Sequence, residues 1–71
     1  MDEELIRKTL EELDVPQEKI DEAVIMMKKP LPLENVYGEI QKNDLRSQLS
    51  FETDWKKRAQ LAARIISFDL D

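Results

Sequence analysis

Ser50-Phe51-Glu52-Thr53-Asp54-Trp55-Lys56-Lys57-Arg58-Ala59-Gln60-Leu61-Ala62-Ala63-Arg64-Ile65-Ile66 decides the fold. Phe51, Trp55, Ala59, Ala62 and Ile66 recur at intervals of four, four, three and four, the period of one helix face. Ser50 is suited to cap such a helix, with Glu52 and Asp54 placed in its first turn. Ala59, Ala62 and Ala63 leave room for a second helix to approach closely, and Leu61 and Ile65 widen the apolar face. Lys56, Lys57, Arg58 and Arg64 are the only concentration of basic residues. Consecutive residues fan around a helix by about 100° each, so they form no single patch. Glu52 to Lys56 and Asp54 to Arg58 are spaced for i, i+4 ion pairs.

Towards the N-terminus, the same period appears in Ile6, Leu10 and Leu13, with Leu5 beside them, and predicts a helix over residues 2–13. Glu3 to Arg7 and Glu4 to Lys8 support it as i, i+4 pairs. Asp14-Val15-Pro16 interrupts the pattern, because proline disfavours helical geometry in the residue before it and suits the start of the next helix. Ile20, Ala23, Val24 and Met27 then predict a second helix over residues 16–29. Pro30-Leu31-Pro32 ends that helix in an extended connector. Leu33, Val36, Tyr37 and Ile40 predict a third helix over residues 33–42, with Gly38 costing about 1 kcal/mol. Asn43-Asp44 reads as a break. Leu45 and Leu49 extend the helix, begin another or lie in a packed loop. The tail, Ser67-Phe68-Asp69-Leu70-Asp71, alternates apolar and acidic residues as short binding peptides do.

The expected architecture is therefore all-α, a small bundle of three to four helices in one domain over residues 1–71. It comprises an acidic hairpin (2–29), a Pro-Leu-Pro connector (30–32), and C-terminal helices built on Trp55 with a short acidic tail (33–71). Leu10-Glu11-Glu12-Leu13-Asp14-Val15-Pro16, leading into Ile20 and Ala23-Val24, is similar to the first two helices of ubiquitin-associated domains. The Gly-centred loop of those domains is absent, no third helix matches, and ubiquitin binding is not carried over.

Composition narrows the chemistry. The chain has no histidine, no cysteine and one glycine, which removes Ser-His and Cys-His nucleophilic dyads, zinc sites, disulfides and Gly-rich phosphate loops. The spaced ligands and central glycine of a calcium loop are also missing. Sixteen acids in so short a chain form carboxylate pairs by chance, so no catalytic, cofactor or metal residue is assigned. The net charge is −5, and residues 1–15 carry −4 of it, with six acids against Arg7 and Lys8. Direct nucleic-acid binding would need a basic surface instead. No apolar run reaches membrane-span length and no signal-peptide core is present, so a cytoplasmic protein is expected.

A chain this short has a small core and no covalent or metal staple, while nearly every helix has an apolar stripe. The sequence thus points to a non-enzymatic adaptor or inhibitor binding another protein through an apolar helix face rimmed by acids. Leu31, Leu33, Phe51, Trp55, Phe68 and Leu70 are its candidate contacts, and Glu3, Glu4, Glu11 and Glu12 its acidic surface. Two alternatives remain open: a homodimer pairing the same surplus stripe, and an acidic decoy blocking a nucleic-acid-binding site on a target protein.

Overall fold

The computed structural model describes residues 2–28 and 40–70, apart from the side chains of 69 and 70. Those residues form four helices and no strand: α1 (Glu3–Glu12), α2 (Gln17–Lys28), α3 (Ile40–Phe51) and α4 (Trp55–Leu70). The expected all-α bundle is what the chain adopts. The connector at Pro30-Leu31-Pro32 and the stripe positions Leu33, Val36 and Tyr37 lie outside the described residues.

Helix α1 is started by Asp2, whose Oδ1 accepts the N–H of Glu4 at 3.0 Å. Its acidic first turn, Glu3 and Glu4, faces the positive end of the helix dipole. It stops in a Schellman turn: Val15 N–H donates to Leu10 C=O at 3.1 Å and Asp14 N–H to Glu11 C=O at 3.0 Å. Asp14 adopts the left-handed conformation, φ 64°, at the position where glycine is usual. Buried Val15 and Leu10 provide the apolar contact that accompanies this turn. Pro16 C=O then accepts from Lys19 N–H at 2.8 Å and opens α2. The hairpin expected around Asp14-Val15-Pro16 is therefore present.

Helix α4 is the hub, packing against each of the other three helices, while α1 also packs on α2. Ala59, Ala62, Ile65 and Ile66 are almost wholly enclosed and meet Leu10, Ile20, Ala23, Val24, Met26 and Leu49 in one core. The alanines let the neighbouring helices approach the α4 axis closely, and burial of each large apolar side chain stabilises the fold by about 1.5–3 kcal/mol. Leu13 and Trp55 pack on the core from its edge. Leu5, placed on the α1 stripe by its spacing, is about half exposed.

Two expectations about the C-terminal half are corrected. Asn43-Asp44 does not break a helix, since α3 runs through it to Phe51. Both residues lie away from the core, where polar side chains cost little, and Gln48 Nε2 donates to Asp44 Oδ2 at 3.1 Å as an i, i+4 pair. Leu45 and Leu49, one turn apart, fix the other side of α3 to the core. Lys42 and Arg46 are buried on it too.

Ser50 does not cap the last helix. It belongs to α3, where its hydroxyl donates back to Arg46 C=O at 3.1 Å. Residues 52–54 make the break: Glu52 Oε1 accepts from the N–H groups of Thr53 and Asp54, each at 3.1 Å. Asp54 Oδ1 caps α4 by accepting Lys56 N–H at 3.2 Å. Glu52 and Asp54 therefore stand before α4 rather than within its first turn. Helix α4 continues to Leu70, so residues 67–70 extend it.

Candidate functional site

Moving the helix start from Ser50 to Trp55 takes Phe51 out of the core stripe. It becomes the last residue of α3 and is 84% exposed. Ile40, expected to pack inward, is the first residue of α3 and is 81% exposed. Eleven residues at about 100° each complete almost whole turns, so Ile40 and Phe51 lie on one face, about 16 Å apart. Asp44 and Ser47 fall between them on that face. Two large apolar side chains thus stand at the two ends of a polar outward strip, which neither packing nor capping among the described residues explains.

Among the described residues, the exposed candidate contacts Phe51 and Phe68 stand at opposite ends of α3. Phe68 is 44% exposed and shares a cleft with Gln41, next to Ile40, at the opposite end of α3 from Phe51. Trp55 is partly buried against the core. Leu31 and Leu33 lie outside the described residues, as does the side chain of Leu70. Ile40 was hidden from sequence reasoning because its spacing matched an apolar stripe, and Ile25, also exposed, sits among the core residues of α2.

The four acids on α1 differ in circumstance. Glu3 Oε1 lies 3.7 Å from Arg7 Nη2 and 3.4 Å from Lys28 Nζ, so its charge is shared with two cations. Glu11 Oε1 accepts from Gln17 Nε2 at 2.7 Å. Glu4 and Glu12 are exposed. Arg7 also meets Asp21 Oδ1 at 2.6 Å. That hydrogen bond is the main reason its pKa is raised, partly opposed by desolvation and aided by the charges of Asp21 and Glu3. A raised arginine pKa means that this contribution holds at every pH below the ordinary arginine range. It is lost only as pH rises through the raised value.

Arg58 has a role that its sequence neighbours do not reveal. Its Nε and Nη2 donate to Met27 C=O at 3.2 and 2.6 Å, and its Nη1 donates to Leu49 C=O at 2.6 Å and Glu52 C=O at 2.8 Å. Met27 and Leu49 are in the last turns of α2 and α3, whose carbonyls lack partners within their own helices. One guanidinium therefore serves the negative ends of two helices. The expected pairs Glu52 to Lys56 and Asp54 to Arg58 do not occur, because both carboxylates accept backbone N–H groups instead.

Among the described residues, no group of three or more acids is placed to hold a metal ion, and no helix is long and apolar enough to cross a membrane. No protein-family model, curated protein or solved structure matches the chain.

Proposed function

We propose that this chain is a non-enzymatic interaction module, an adaptor or inhibitor acting in the cytoplasm, that binds another protein through the outward face of α3. The observation that carries the reading is the alignment of Ile40 and Phe51, both more than four-fifths exposed, on one face of a helix otherwise anchored to the core. Amphipathic helix faces with large anchors at turn-spaced positions are a common means of protein recognition. Aromatic anchors contribute strongly once a partner excludes water around them. The clefts among the described residues are small and open at the surface and converge on no acid–base constellation, so nothing in them favours an enzyme over a binding surface. Glu4 and Glu12 are exposed on α1, which packs on α2 and α4 and does not border this face, and Glu3 is paired within the chain, so the acidic-decoy reading is not carried forward.

The test is a comparison of baits in an extract of the source cells. The wild-type chain should retain a partner that Phe51→Ser and Ile40→Ser release, while Glu4→Gln changes retention at most several-fold. Equal retention by all the baits would remove α3 from the binding surface.

A further inference from the structure

A second surface feature lies on the other flank of α3. Two clefts, of about 280 and 240 Å³, follow the seam between α3 and α4, and Gln48 and Arg64 line both. Gln41 shares the first with Phe68, and Glu52 shares the second with Lys57, so the two helices run antiparallel along the seam. The walls differ in sign. Asp44 and Glu52 stand on the α3 side, and Lys57 and Arg64 on the α4 side. Leu45 and Leu61 between them are already buried in the core of the chain, and Phe68 is the partly exposed apolar residue at one end.

Every ion pair among the described residues lies in α1 and α2, joining Glu3, Arg7, Lys19, Asp21, Glu22 and Lys28. Along the seam Asp44 accepts from Gln48 and Glu52 from two backbone N–H groups, and neither acid is ion-paired with Lys57 or Arg64. A two-fold axis running along the seam carries α3 of one copy over α4 of another at the same level. It sets Asp44 over Arg64 of the second copy and Glu52 over Lys57 of the second copy, and repeats both contacts reciprocally. The acidic wall thus meets the basic wall at both levels, and charge complementarity rather than apolar burial holds the contact.

We infer that the α3/α4 seam is an interface with a second copy of this chain, closing into a symmetric four-helix contact. Asp44 borders both this seam and the Ile40–Phe51 face, whereas Arg64 stands on α4, so Arg64→Asp is the variant that separates self-association from partner binding. Helices of 12 and 16 residues are about 18 and 24 Å long, a footprint at the small end of specific interfaces. A small, largely polar contact of this kind is expected to associate weakly, so the test spans a micromolar range.

Sedimentation equilibrium on the full chain tests this. Between about 1 and 300 μM, the mean mass should rise from 8.4 kDa towards twice that value. Arg64→Asp, or Asp44→Arg, places like charges together at both symmetry-related contacts and should weaken association at least about tenfold. Arg64→Gln should weaken it less. The double variant Asp44→Arg/Arg64→Asp should recover it, and added salt should weaken the wild-type dimer. Circular dichroism on each variant separates loss of association from loss of fold, and Arg64→Gln serves where a reversal lowers helicity. A mass of 8.4 kDa at every concentration overturns the inference. So does a dimer indifferent to single reversals, or one that the double variant fails to restore.

Discussion

The guanidinium of Arg58, in the first turn of α4, is bonded to the C=O of Met27, in the last turn of α2, by two donors at 2.6 and 3.2 Å. The two residues are 31 positions apart. The same side chain bonds Leu49 and Glu52 at the end of α3, so three elements are held at one point by a single fixed fork of donors.

Arg58→Ala should destabilise the protein by about 2–3 kcal/mol, since a hydrogen bond to a charged group is worth about 1.5–3 kcal/mol and three carbonyls lose their donor. For a domain of this size that is a large share of the whole, and the thermal midpoint should fall by about 10–20 °C. Arg58→Lys should recover less than half of the loss, because an ammonium cannot reproduce the fork. Thermal denaturation followed by circular dichroism reads both. A shift within 2–3 °C for Arg58→Ala would show that the carbonyls are served equally well by water.

Asp14→Gly should raise stability by roughly 0.5–1 kcal/mol. Glycine adopts the left-handed geometry of Asp14 without strain, and the change removes a negative charge at the C-terminal end of α1. Urea denaturation should show a higher midpoint with an unchanged slope. A lower midpoint would mean that the entropy glycine gains on unfolding outweighs both effects.

Phe51 and Ile66, two members of the same sequence stripe, should behave oppositely. Phe51→Ser removes a side chain already in water and should change stability by no more than about 0.5 kcal/mol. Ile66→Ala empties a position that is 1% exposed and should cost about 2–5 kcal/mol. Chemical denaturation of the two variants under one condition makes the comparison. Equal losses would restore Phe51 to the core.

That contrast marks where the sequence is legible and where it is not. The core positions of α1, α2 and α4, such as Leu10, Ile20, Val24, Ala62 and Ile66, are readable because enclosure requires apolar side chains at the helical period. The junction of α3 and α4 is not readable in the same way. Ser50 and Asp54 are both good caps, one turn apart, and the apolar spacing continues across the true break. The choice depends on Glu52 folding over the N–H groups of Thr53 and Asp54, and on Arg58 gathering two helix ends. The second of these exists only after α2 and α3 have docked. The candidate surface followed the same course: Phe51 was visible as a large apolar residue, but its partner on the face, Ile40, matched a core stripe. Burial of Lys42 and Arg46 on α3 likewise follows from packing and leaves no sequence pattern.

Photo-crosslinking in the source cells, with p-benzoylphenylalanine in place of Phe51 or Ile40, tests the central claim most directly because it reports which side chains touch another protein. Ultraviolet light should give the same discrete adduct from both positions, and none from Lys8 or Lys56, exposed residues on other helices. Absence of an adduct at positions 51 and 40, or equal labelling from all four sites, would contradict the claim that α3 presents a binding face.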